Sequence, residues 1–159
     1  MSNLERTDQR QVLVFTLDEP RFALRLSAVE RVVRAVDITP LPKAPEIVLG
    51  VINVQGQVVP VVDIRRGMRL PARDLTLDDQ FILARTSRRL VALVVDAVAG
   101  VRDLAQSEMV SEAQVIPSAG YISGMVKLAD GVVLICDLDQ FLSPMEERML
   151  DQKSRRARV

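Results

Sequence analysis

Residues Gly50–Ile64 read GVINVQGQVVPVVDI, and the fold turns on how this stretch is parsed. Two apolar, β-branched runs (Val51, Ile52 and Val54; then Val58 to Ile64) flank a turn centred on Gly56. Short β-branched runs split by a glycine turn predict a β-hairpin. Gly56 supplies the positive φ that such a turn needs. Pro60 has no N–H to give to a ladder, so its strand is expected at an edge or with a bulge at that point.

The same pattern returns later in the chain. Shifted by 74 positions (124 minus 50), Gly124–Leu138, GMVKLADGVVLICDL, lies on the hairpin without a gap. Gly50 meets Gly124, Val58 and Val59 meet Val132 and Val133, and Asp63 meets Asp137. A second stretch repeats at an offset of 69 (98 minus 29). Phe22, Leu24, Leu26, Val29 and Val32 fall on Val91, Leu93, Val95, Val98 and Val101, and Ser27 falls on Asp96. Two stretches repeating in the same order imply a duplicated unit.

Composition narrows the function classes. At 159 residues with 48% hydrophobic content, the chain makes one domain, or two small units sharing a core. Its formal net charge is zero, which argues against nucleic acid or a membrane surface as partner. No apolar run approaches the ~18 residues of a membrane span. The polar start MSNLERTDQR does not read as a signal peptide, and a single cysteine excludes an internal disulfide, so a cytoplasmic location is expected. There is no histidine, hence no His-based triad, general base or metal ligand. No Walker loop or GxGxxG is present, and 3% aromatics leave little for stacking bases or sugars. A non-enzyme without cofactor or metal is the expectation.

Read in order, residues 1–9 form a polar tail, and Val12–Leu17 and Phe22–Leu26 two paired strands. Ser27 with Glu30 makes a capping box, and Val29, Val32, Val33 and Val36 fall at i, i+3, i+4 and i+7, which predicts a short helix. The proline-rich loop 39–45 leads into a one-turn helix ending at Gly50. The polar connector Arg65–Asp79 marks the boundary between units of about 10–70 and 78–142, with strands free to cross over. Phe81–Ala84 and Val91–Val95 are strands, and Asp96–Val101 a second, glycine-weakened helix. Leu104–Tyr121 reads as loop, the Gly124–Leu138 hairpin closes the second unit, and a capped helix spans 143–156 before a short tail, 157–159.

Asp63, Asp96 and Asp137 take structural duty in this reading, because no general acid, metal ligand or phosphate cradle accompanies them. Cys136, in an apolar run, is a small buried hydrophobe. The four valines Val29, Val32, Val98 and Val101, two from each repeat, serve either as core or as the lining of a groove that accepts an apolar helix face. Asn53 and Gly56 serve either turn chemistry or partner contact.

The order strand, strand, capped element, proline loop, GVINVQG hairpin and Asp63, together with Val91–Val98 (VALVVDAV), resembles the CheW family of chemotaxis adaptors over roughly residues 10–150. The resemblance implies a mainly β fold of two SH3-like five-stranded β-barrels with a groove between them, short helices and a C-terminal α-helix. It implies two partners, the cytoplasmic tip of a chemoreceptor and the regulatory domain of a CheA-type histidine kinase, with no cofactor. The site it implies comprises Val29, Arg31, Val32, Asn53, Gln55, Gly56, Val98 and Val101. The family usually carries arginine at Gln55 and glutamate at Arg31, so two charges differ here. A small-ligand-binding pair of barrels is the alternative, with an oligonucleotide-binding barrel behind it.

Overall fold

The β-branched runs all become strands in the computed structural model, which describes residues 11–68, 70–71, 73–104, 109–111, 122–140 and 142. The expected tails and the helix at 143–156 lie outside the described residues. In chain order the strands are β1 (Gln11–Thr16), β2 (Arg21–Arg25), β3 (Val29–Arg34), β4 (Val48–Val54), β5 (Gln57–Val62), β6 (Gln80–Arg85), β7 (Leu90–Val95), β8 (Ala97–Asp103), β9 (Met109–Ser111), β10 (Ile122–Leu128) and β11 (Gly131–Cys136). A 3-10 turn, Leu26–Ala28, joins β2 to β3, and a single helical turn, α1 (Ile64–Gly67), follows β5.

The fold is mainly β and built of two sheets, as the resemblance implied with its two five-stranded barrels. One sheet runs β3-β6-β7-β5-β4 and the other β8-β1-β2-β11-β10-β9, the short β9 adding a sixth strand. Each sheet wraps its own apolar core, Val59, Val61, Phe81 and Leu83 in the first and Val12, Val14, Val126 and Ile135 in the second. A third and larger cluster lies between them and draws on both: Phe15, Leu24 and Ile122 from one sheet, Val62, Ile82 and Leu93 from the other.

The duplication holds down to single pairings. In β4–β5, Val48 faces Val62 and Gly50 faces Val61 across a bulge. In β10–β11, Ile122 faces Cys136 and Gly124 faces Ile135 across the same bulge, all at the 74-residue offset. Likewise Val29 pairs with Ala84 and Arg31 with Leu83, while Val98 pairs with Phe15 and Gly100 with Val14, at the 69-residue offset. These pairings also show that the units exchange strands. The β1–β2 hairpin of the first repeat joins β8, β10 and β11 of the second, and the β6–β7 hairpin of the second joins β3, β4 and β5 of the first. A cut at the 65–79 connector therefore does not separate the sheets.

Several local expectations are corrected. Residues 27–36 are not a helix: only Leu26–Ala28 coil, and Val29–Arg34 is a strand. The second expected helix, Asp96–Val101, is strand β8 after Asp96. The cause is the same in both. Each strand carries a bulge, at Glu30 and at Ala99, which adds one residue to the two-residue period. Val29 and Val32, three apart, then share one face and both pack on the central cluster. A bulged strand thus reproduces the i, i+3 spacing of a helix, and valine favours the strand. The one-turn helix before Gly50 is absent, since β4 begins at Val48, and the 104–121 loop includes β9.

Pro60 sits neither at an edge nor at a bulge, because β5 lies between β7 and β4. Its partner Val51 spends its own N–H and C=O on Thr39 (2.8 and 2.9 Å), which makes Val51 and Pro60 a non-hydrogen-bonded pair. The proline nitrogen therefore faces away from β4, and the pairing of β5 with β7 begins one residue later, at Val61. Thr39 also constrains Gly50. With φ at 151°, a Cβ there would overlap the Thr39 carbonyl and approach the Ile38 side chain to 2.7 Å. Gly50→Ala is expected to cost about 3 kcal/mol in urea unfolding, from backbone strain and overpacking together. A loss under about 0.5 kcal/mol would show that Thr39 does not hold this edge.

Candidate partner-binding site

The hairpin residues are set by turn chemistry. Gln55 and Gly56 both have positive φ, 51° and 85°, the two-residue turn whose twist matches a hairpin. The Gly56 N–H donates to Asn53 Oδ1 at 2.8 Å, so Asn53 closes the turn and leaves the exposed Gln55 side chain at its tip. Arg31 is exposed on β3 just past the bulge. β3 is one edge of the five-stranded sheet and β4 the other, and no hydrogen bond or ion pair joins Arg31 to Gln55.

The four valines divide. Val29, Val32 and Val98 are half-buried and pack on the central cluster, whereas Val101 is 50% exposed. They lie on β3 and β8, the edge strands that each repeat contributes to the other's hairpin. Neither cavity described below is lined by any of the four.

A charged clasp, which sequence reasoning missed, lies behind β8. The Arg65 side chain is 5% exposed. Its guanidinium forks onto Asp18 at 2.7 and 2.8 Å, reaches both Asp96 oxygens at 2.6 and 2.7 Å, and donates to the Pro71 carbonyl at 3.2 Å. Arg73 bridges Asp79 and Asp96, each at 2.6 Å, and the Asp18 N–H donates to Asp96 at 2.7 Å. Buried charges must be paired in this way to be tolerated. The connector 65–79 is therefore not a passive link: it ties the β1–β2 turn to the crossing from β7 into β8. Asp96 acts as an anion between two guanidiniums, not as a helix cap. Asp63 does cap α1, accepting from the Arg65 N–H at 3.1 Å, and Asp137 accepts from the Gln140 N–H at 3.2 Å where a helical turn starts. The sequence signal for the clasp is a stretch, 65–79, that holds four arginines and three aspartates and has no apolar period.

Two cavities occupy equivalent places in the repeats. One, of about 340 Å³, is lined by Leu49, Asp63, Arg65, Arg73 and Val94 among others. The other, of about 380 Å³, is lined by Ser123, Asp137, Asp139 and Arg25, the counterparts of Leu49, Asp63, Arg65 and Val94 at the two offsets. The sign of the central charge is inverted between them.

The clasp carboxylates are occupied by guanidiniums. Burial pushes the Cys136 thiol up to about 12, where it is no nucleophile at neutral pH. No group of side chains that could hold a metal ion occurs among the described residues, and no helix among them is long and apolar enough to cross a membrane. Two fused β units with equivalent edge strands, β3 and β8, and a core in common make up the module.

Comparison with known proteins places the module in a family. Residues 11–145 match the CheW-like domain. A chemotaxis protein CheW from Thermotoga maritima is 31% identical over 137 residues, covering 83% of this chain and 87% of that protein. Another from Treponema pallidum is 25% identical over 149 residues, covering 90% and 88%. The crystal structure of the scaffolding protein TtCheW from Thermoanaerobacter tengcongensis superposes with a TM-score of 0.74 at 27% identity, covering 80% of this chain and 88% of that one. The chain belongs to the CheW-like domain family.

The clasp makes an acid-sensitivity test possible. The Arg65 hydrogen bond holds the Asp18 carboxyl below its ordinary 3.8. At Asp96 burial opposes the charge, and bonds from Arg65, the Asp18 N–H and Arg73 outweigh it, so its value also falls. Lowered values mean that the unfolded chain takes up protons first. The stabilisation is complete above the unfolded value and is lost as pH falls through the folded one. Melts from pH 6 down to about 3 should show a falling Tm, with a shallower fall in Asp96→Asn. Equal slopes in the two proteins would mean that the clasp does not carry the acid response.

Proposed function

We propose that this chain is a non-enzymatic adaptor that couples a chemoreceptor of the methyl-accepting type to the regulatory domain of a CheA-type histidine kinase, working in the cytoplasm. The observation that carries this reading is the CheW-like match over nearly the whole described fold, joined to a duplicated pair of β units. The relatives' names place them in chemotaxis, and the solved relative is called a scaffold.

An adaptor must hold two partners in fixed geometry, so that a small movement of one biases the other between states. A shared apolar core suits the task, because close-packed interiors transmit strain instead of absorbing it. Val29, Val32, Val98 and Val101 are assigned to an apolar receptor helix face, and Asn53, Gln55, Gly56 and Arg31 to the polar part of the contact. Each buried valine adds roughly 1.5–3 kcal/mol of transfer free energy before ordering costs. A few such contacts give affinities that a multivalent array raises further.

Gln55 and Arg31 tune specificity in this reading. Both are exposed, and each differs in charge from the family's usual residue. A charge-assisted hydrogen bond is worth roughly 1.5–3 kcal/mol against about 1 for a neutral one. Exchanging charges at a rim therefore discriminates between partners.

Two measurements test the reading. Val101→Asp, at a half-exposed position, should weaken capture of a receptor cytoplasmic fragment about tenfold or more while the melt stays cooperative. Unchanged capture would remove Val101 from the site. The double variant Gln55→Arg with Arg31→Glu should bind receptors and kinases that the unaltered chain refuses. Identical partner profiles would end the specificity assignment.

A further inference from the structure

The four valines assigned to docking are related by the internal repeat, and so is the residue that follows each pair. On β3 the bulge puts Val29, Val32 and Arg34 on one face, the face turned to the central cluster. On β8 the bulge puts Val98, Val101 and Asp103 on the equivalent face. Arg34 and Asp103 are counterparts at the 69-residue offset (103 minus 34), and both are exposed. The apolar positions are kept between the repeats, and the charge that follows them is reversed.

The two strands run in opposite directions across the site. The start of β8 lies by the end of β3, because the Val98 N–H donates to Gln80 Oε1 at 2.8 Å and Gln80 is the pairing partner of Arg34. The end of β8 lies by the start of β3. Asp103 pairs with Gln11, and the neighbouring Val12 pairs with Arg25, just before the Leu26–Ala28 turn that leads into Val29. Arg34 and Asp103 therefore stand at opposite ends of the site. The length of β3 from Val29 to Arg34, roughly 15 Å at the usual strand rise, matches about ten residues of helix.

Two like apolar strands related by a two-fold axis offer a helix the same contacts in either direction. Such a contact is of little use to an adaptor, since reversing the helix moves everything joined to it. We propose that Arg34 and Asp103 break this degeneracy and set the direction of the helix that docks on the valines. The docking helix carries an acidic residue beside its apolar face at the Arg34 end and a basic one at the Asp103 end, about ten residues apart. The proposal rests on the adaptor reading for its occupant, a receptor helix, and adds which way that helix lies. Reversed, the helix brings like charges together at both ends, and such juxtapositions suppress wrong arrangements.

Two synthetic helical peptides of equal composition read the direction on the full-length chain. Each has leucines at i, i+3, i+4 and i+7, glutamate at one end, lysine at the other, and a photo-crosslinker on its N-terminus. The peptide that begins with glutamate should crosslink at the Arg34 end, and the one that begins with lysine at the Asp103 end. The exchange variant Arg34→Asp with Asp103→Arg alters two exposed positions and keeps the net charge, so its melt should stay cooperative. It should swap the two crosslinks. The same crosslinks from both peptides, unswapped crosslinks in the variant, or no binding overturns the proposal. A receptor cytoplasmic fragment separates this from the adaptor reading, which capture by the unaltered chain decides. Capture by the exchange variant should fall roughly tenfold, two attractions having become repulsions. Equal capture by both proteins would leave the adaptor standing and remove Arg34 and Asp103 from its specificity.

Discussion

The structure depends on the exchange of strands between its two repeats. Neither repeat can complete a sheet from its own residues, since each hairpin, β1–β2 or β6–β7, finds its neighbours in the other half of the chain. The exchange forces both halves to bury one apolar cluster in common, in addition to a smaller core inside each sheet. Two units joined this way do not move as independent domains, because their interface is a core and not a contact surface. That suits the adaptor role proposed above.

Duplication also explains where the molecule departs from symmetry. Backbone pairing is retained to the residue, including both pairs of bulges, while the charged side chains have diverged. One seam gathers Asp18, Arg65, Arg73, Asp79 and Asp96 into an ionic set, and at the counterparts of Asp18, Asp96 and Arg65 the other has Ser87, Ser27 and Asp139. Packing limits change in the strands, since a one-residue slip would turn every inward side chain outward. The seams have no such limit, and there the side chains of the repeats differ. The hairpin tips differ too. Gln55 is exposed on one, while on the other Asp130 is held by Arg21 at 3.1 Å and Arg102 at 3.4 Å.

Legible in the sequence are the two hairpins, the paired strands and both repeat offsets, because apolar alternation and glycine turns are local signals. The bulged strands are not legible. One inserted residue converts a period of two into an apparent helical stripe at Val29–Val36, and only the partner strand reveals the insertion. Pro60 misleads for a similar reason, since its tolerance depends on Val51 turning to Thr39, a residue outside the hairpin. Within the site, Asn53 and Gly56 can be read as turn-formers and are. The clasp is hidden because Arg65 draws its partners from 47 residues before it and 31 after it, and no spacing rule reaches that far. The valines are identified as apolar and paired between repeats, but their split into three half-buried and one exposed is not legible even in the register, where Val32 and Val101 hold equivalent places.

Fragment complementation tests the exchanged-strand claim most directly. Residues 1–70 and 71–159, made separately, should each lack a cooperative melt as a monomer, and an equimolar mixture should regain the transition of the intact chain. A fragment that folds cooperatively by itself as a monomer, with a sheet complete from its own strands, would contradict the account.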